Sequence, residues 1–292
     1  MNFMKIPAAL VVLAAGCFTA DLMAQPAAPR LRFPDVSQAA SIKQRVGVTD
    51  IEIIYSRPNM NGRVIFGGLV PYGSVWRTGA NSATKISFST AVKFGGADVP
   101  AGTYALFTIP GQDAWTIILG KGPDQWGAFS YDQKNDVVRV TAKPQQRPQA
   151  LESFTITFPQ IEREAAQLEL AWDRVAVPVR ITVDVKSVLV PEIEAVMASA
   201  EPKKPYYRAA EFYFENDIDL KKSIAWINAA DAAQPKNFFL LHRKAVMLAK
   251  AGDKANALLA ANESLELAKK ETSPEMRDEY VRLNNDLIAR LR

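Results

Sequence analysis

The sequence predicts an α+β multidomain chain: an N-terminal all-β antiparallel sandwich, with a barrel as the alternative closure, followed by a C-terminal all-α region of helical repeats. Three observations carry this. Between Val46 and Val185 apolar residues recur with a period of two, in short runs bounded by Gly, Pro, Asn and Asp. After Pro191 the period becomes 3.6. Within the helical stretch, capping and small residues recur 34 positions apart. A length of 292 residues with 48% apolar and 23% charged side chains is enough for two cores and excludes a disordered chain. The net charge of +4 is small and dispersed, which argues against nucleic acid as a partner.

The chain opens with an export signature over residues 1–24. Lys5 supplies the positive region, Ile6 to Gly16 the apolar core, and Leu22-Met23-Ala24 the cleavage site before Gln25. The alternative is a lipoprotein anchored through Cys17. No other stretch approaches the length of a transmembrane segment. With Cys17 removed the mature chain has no cysteine, so disulfides, thiol catalysis and Cys-based metal sites are excluded.

The β domain is placed at 33–187. Ile51, Ile53 and Tyr55 share one face of the first clear run, and Ile86 and Phe88 mark the next. Val92 and Phe94 precede the turn Gly95-Gly96. Tyr104, Leu106 and Thr108 alternate with Ala105, Phe107 and Ile109 before Pro110-Gly111. Trp115–Leu119, Val137–Ala142, Phe154–Phe158, Leu168–Trp172 and Val175–Val185 complete the set, with Pro178 indicating an edge or a bulge.

The helical region is placed at 192–292. Its helices are predicted at Glu192–Ser199, Pro205–Glu215, Leu220–Ala233, Phe238–Ala251, Lys254–Lys270 and Pro274–Leu291. Gly252, Pro235 and Pro274 act as stop signals. Asp219 and Asp253, Ser223 and Ala257, and Ala230 and Ser264 are each 34 apart. With Ala245, Gly252-Asp253 and Leu265, this register resembles tetratricopeptide repeats, with Leu241 at the family's Trp position. Such repeats offer a curved surface for a protein partner; a helical cap packed on the sandwich is the alternative.

The residue inventory limits the chemistry. His242, the one histidine, lies mid-helix, so a Ser-His-Asp triad in the β domain would need His242 to reach across the interface, and zinc catalysis lacks its usual several His or Cys ligands. Asp124, Asp132 and Asp136 are the residues for an all-carboxylate calcium site, without EF-hand spacing. Glu52, Asp98, Asp124 and Glu152 are the carboxylates available for glycoside hydrolysis. No metal and no cofactor is predicted.

The segment from Arg57 to Asn81 is a long Gly- and Pro-punctuated loop, the kind of segment in which function concentrates. Arg57, Arg63 and Arg77 present planar forks suited to carboxylate or phosphate. Thr78 and Asn81 add neutral donors, Tyr72 and Trp76 stacking faces, and Trp126 before Gly127 a sugar platform. The opposing reading makes Trp76 and Tyr72 core and pairs the arginines with acids.

Arg57-Pro58, Gly62-Arg63, Ile65-Phe66-Gly67, Val70-Pro71-Tyr72-Gly73, Val75-Trp76-Arg77-Thr78-Gly79-Ala80-Asn81 and Ala101-Gly102-Thr103-Tyr104-Ala105-Leu106-Phe107 carry a family resemblance. With Trp115 and Trp126-Gly127, they resemble a secreted bacterial family catalogued as domain of unknown function 2911. The resemblance runs from about Phe33 to Val185. It implies export and the domain limits, and it implies no reaction. The expectation is therefore an exported bacterial protein, periplasmic or secreted: a non-enzymatic ligand-binding or scaffold protein of the cell envelope. Its ligand is a small anionic molecule or sugar. The alternative is a His-independent hydrolase acting on envelope glycans through carboxylates.

Overall fold

Alternating apolar runs form a half-buried sheet only when a second layer covers their apolar face. In the computed structural model, which describes residues 33–292, two sheets do this for each other. The export segment and Cys17 lie outside the described residues.

Ten strands follow in chain order: β1 (Gln38–Val46), β2 (Thr49–Arg57), β3 (Thr84–Phe88), β4 (Val92–Phe94), β5 (Ala97–Val99), β6 (Gly102–Ile109), β7 (Trp115–Gly120), β8 (Asp136–Ala142), β9 (Gln145–Ile161) and β10 (Ala165–Val183). One sheet has the order β1-β2-β3-β6-β7-β8 and the other β5-β4-β10-β9, with every neighbour pairing antiparallel. The sheets remain separate, so the architecture is a sandwich and not the barrel alternative.

Ile51, Ile53, Ile86, Leu106 and Ile117 of the first sheet meet Phe94, Phe154, Ile156, Leu170 and Ile181 of the second. The outer face of β6 and β7 is buried as well: Ala105, Phe107 and Ile118 lie under Val75, Ala128 and Tyr131. That second cover explains why β6 reads apolar on both faces.

Several strand expectations change: β1 and β5 fall outside the predicted runs, and β9 extends well beyond Phe154–Phe158 at its N-terminal end. Leu168–Trp172 and Val175–Val185 are one continuous strand, β10, with register shifts around Asp173, whose φ is +51°. A bulge breaks the alternation without ending the strand, which makes one strand look like two. Pro178 sits between the residues paired to β9, which end at Ala176, and those paired to β4, which begin at Ile181. Its missing N–H therefore interrupts no ladder bond.

Six helices follow: α1 (Val185–Ala198), α2 (Tyr206–Glu215), α3 (Leu220–Ala233), α4 (Phe238–Lys250), α5 (Lys254–Ala268) and α6 (Pro274–Leu291). α3 and α6 have the predicted limits. α1 begins seven residues before Glu192 and passes through Pro191, because Asp184 caps it by accepting from the Ser187 N–H at 3.0 Å. Asp219 and Asp253 cap α3 and α5 alike, while Ser223 and Ala257 are both fully buried. The 34-residue register therefore has a structural counterpart in successive helices joined by short turns. Leu189 and Phe212 pack against the sandwich core, and Arg163 pairs with Glu215 at 3.4 Å. Among the described residues no helix is long and apolar enough to cross a membrane.

Candidate functional site

The loop between β2 and β3 is held by backbone pairing and by one crowded turn. Trp76 and Thr108 exchange both backbone hydrogen bonds, at 2.7 and 2.9 Å, so the loop continues the ladder of β6 where β3 stops. Beyond it, Thr78 and Asn81 have φ of +53° and +58°. Such a conformation is costly for a β-branched residue, by about 1–3 kcal/mol. Thr78 is held there by the Thr84 hydroxyl, which donates to its carbonyl at 2.6 Å. Between them Gly79 has φ +153°, and a Cβ on it would lie 2.9 Å from the Ser56 carbonyl oxygen. Glycine is needed for both reasons.

This turn sends neighbouring side chains in opposite directions. Trp76 goes inward, 8% exposed, and stacks on Trp172 at 5.9 Å. Its Nε1–H donates to the Gly79 carbonyl at 3.0 Å. Arg77 turns toward a cleft of 340 Å³ whose polar side chains come from Ser37, Asn61, Arg63, Arg77 and Asn81. Val36, Leu69, Val70 and the indoles of Trp76 and Trp172 form the apolar walls. Arg77 Nε is buried with no hydrogen-bond partner, and burial pulls the pKa of this guanidinium down. The group stays charged.

The predicted residues separate into three groups. Arg63, Trp76, Arg77 and Asn81 meet at the cleft. Arg57 does not: it crosses to β9, donating to the Phe154 carbonyl at 3.0 Å and the Thr155 hydroxyl at 2.7 Å, and so staples the two sheets. Thr78 is fully buried and Tyr72 lies against Gly67, neither of them lining the cleft. Trp126 is 65% exposed and also stands outside it.

Arg63 donates to the carbonyls of Met60 and Asn59 at 2.9 and 2.6 Å, which folds it over its own loop. Asn81 Nδ2 donates to the Ser37 carbonyl at 3.2 Å, bringing the start of β1 to the rim. Among the described residues none of the three arginines pairs with an acid, contrary to the opposing reading; Trp76 is core as that reading has it, and Tyr72 is exposed.

The sequence singles out neither Asn61 nor Trp172 for the site, placing Trp172 only at the end of the strand run Leu168–Trp172. Asn61 had a signal, its place in an Asn-Gly turn. The edge that Trp172 shows to the cleft had none, because it depends on the loop laid over β10.

The other candidate chemistries disperse. Asp124 pairs with Lys85, Asp132 caps a one-turn 3₁₀ helix, and Asp136 accepts from the Tyr131 hydroxyl at 2.9 Å. Among the described residues no group of three or more potential ligands gathers. Glu52 pairs with Lys43 at 3.3 Å and Asp98 with Lys93 at 2.6 Å. Glu152 accepts the Asn61 N–H at 2.8 Å, pinning the loop, and among the described residues no carboxylate lines the cleft.

His242 is 7% exposed, its Nδ1 lies 2.9 Å from Asn284 Oδ1, and burial lowers its pKa.

Residues 37–181 match the model of the DUF2911 family, described as a protein of unknown function. The match spans just under half of the chain and contains every residue of the cleft except Val36. No curated protein and no solved structure matches the chain.

Proposed function

We propose that this is an exported, non-enzymatic binding protein of the cell envelope whose sandwich holds a small carboxylate-bearing ligand, such as an acidic sugar or a chain terminus, in the 340 Å³ cleft. One observation carries the proposal: Arg77 faces the cleft with a buried Nε that has no partner and with no neutralising acid. A buried donor without a partner costs about 1–3 kcal/mol, and a ligand carboxylate offers the planar acceptor that would relieve it. Asn61 adds a side-chain amide to the lining, while the donors of Arg63 and Asn81 are engaged with the Met60, Asn59 and Ser37 carbonyls, and the apolar walls suit the body of the ligand. Glycoside hydrolysis needs two carboxylates at the reacting bond, and this cleft is lined by none, which favours binding over the hydrolase alternative.

The test is thermal unfolding of the full chain against a panel of uronic acids, acidic peptides and neutral sugars. A ligand of the native state raises the midpoint, by about 2.7 kcal/mol of stabilisation at a hundred times its Kd. The expected result is a shift with carboxylate-bearing compounds that disappears in Arg77→Met. A shift of equal size in that variant, or one produced by neutral sugars alone, overturns the assignment.

A further inference from the structure

The helical region carries a second recessed surface, along the edge where its inter-helix turns lie. One cavity of 420 Å³ is framed by the start of α2, the end of α3 and the start of α4. A second, of 540 Å³, is framed by the start of α4, the end of α5 and the start of α6. They share Asn237 and Phe239, so they form one groove. Its lining carries a file of half-buried rings, Tyr207, Phe239 and Phe238, with Tyr207 and Phe239 5.1 Å apart; Tyr280, outside the lining, packs on Phe239 at 5.9 Å and on Phe238 at 5.1 Å.

The charge of this groove is one-sided. Lys204, Arg208, Lys236 and Lys270 line it. Ion pairs of the helical region form on other residues, among them Lys222 with Glu194, Arg243 with Glu211, Lys244 with Asp231, Lys250 with Asp217 and, next to the groove, Lys269 with Glu266. Among the described residues the groove lysines and Arg208 have no carboxylate partner; Lys204 donates to the Met197 carbonyl at 2.6 Å. The one acid of the lining, Glu271, accepts the N–H groups of Thr272 and Ser273 in its own turn.

We infer that this groove binds an extended acidic peptide segment of a partner protein, with apolar side chains seated on the ring file and carboxylates on the flanking cations. Recessed rings between helices suit apolar anchors reaching in from a partner, whereas a bilayer surface calls for apolar groups that project. Cations without partners favour acidic over neutral segments and select against basic ones.

The experiment uses the full chain and a fluorescein-labelled peptide in which Asp and Glu alternate with Leu and Phe, read by anisotropy. A second peptide has Lys at every acidic position. Binding of the acidic peptide alone is expected, weakening as salt rises. The R208E/K236E/K270E variant, altered only at exposed positions, should bind roughly tenfold or more weakly with its circular dichroism unchanged. K236Q/K270Q removes charge without reversal and supplies the same comparison if the triple variant misfolds. Arg77→Met should bind the peptide as wild type does, which separates this groove from the cleft of the sandwich. Equal binding of both peptides, no binding of the acidic one, or undiminished binding by the charge variants overturns the inference. Binding to anionic vesicles or single-stranded oligonucleotides in place of the peptide does the same.

Discussion

In the helical half, Asn284 is fully buried, yet its amide is completely engaged: Nδ2 donates to Ser264 Oγ at 2.9 Å and to the Tyr280 carbonyl at 2.8 Å, while Oδ1 faces His242 Nδ1. Ser264 in turn donates to the Phe238 carbonyl at 2.7 Å. At the mouth of the sandwich, Arg77 is less buried and its Nε has no partner. The first arrangement joins α4, α5 and α6 and leaves nothing for another molecule to supply. The second leaves a charged donor beside an open cleft. A buried polar group is ordinarily satisfied by the fold, as Asn284 is, whereas Arg77 Nε, like Gln125 Oε1, Asp136 Oδ1 and Arg147 Nε, is not.

Substitutions can break this contrast. The largest effect is expected inside the sandwich: Trp76→Ala should cost about 3–5 kcal/mol in chemical denaturation, because the indole is a core residue before it is a cleft wall. A cost near zero would return Trp76 to the surface.

Next comes Asn284→Ala, expected to lose about 1–3 kcal/mol by stranding the His242 N–H and removing one acceptor of the network. The tautomer follows from the geometry: the Asn284 oxygen accepts, so the proton of neutral His242 sits on Nδ1. Gly79→Ala should follow at about 1–3 kcal/mol, from its left-handed backbone and the nearby Ser56 carbonyl.

The pH dependence has a definite sign. Burial holds the His242 pKa below its ordinary value of 6.5, and the charges of Arg243 and Arg290 push the same way. The unfolded chain therefore takes up a proton that the folded chain resists. Stability from this group is complete above 6.5 and declines as pH falls through it toward the folded pKa, where the decline levels off. Denaturation midpoints between about pH 8 and 5 should show that slope, and His242→Gln should flatten it.

The smallest effect separates the two regions most sharply. Arg77→Met should leave stability unchanged or raise it by up to about 1 kcal/mol, since an unsatisfied buried donor is replaced by an apolar group. A large loss would mean that Arg77 serves the fold as Asn284 does.

Much of the architecture is legible in local pattern. Ile51, Ile53 and Tyr55 alternate because one face of β2 is buried, and Asp219 and Asp253 announce α3 and α5 because a cap acts within three residues of itself. Only the second half of α1 is legible, as Glu192–Ser199, because Pro191 normally bounds a helix; here the Asp184 cap and the burial of Val185 carry the helix through it. The loop stands out by composition, but its three arginines look alike in the sequence. Their fates differ through partners far away along the chain: Arg57 meets Phe154 and Thr155 on the opposite sheet, and Arg63 meets its own turn.

Residue order alone was enough for the two-layer sheet region, the helices that follow it and the segment where a site belongs, because periodicity, caps and turns act over a few residues. Which guanidinium is left without a partner was decided by packing. That outcome depends on where β9 and β10 lie beneath the loop, and on the φ values that a crowded Thr78-Gly79 turn imposes on its neighbours.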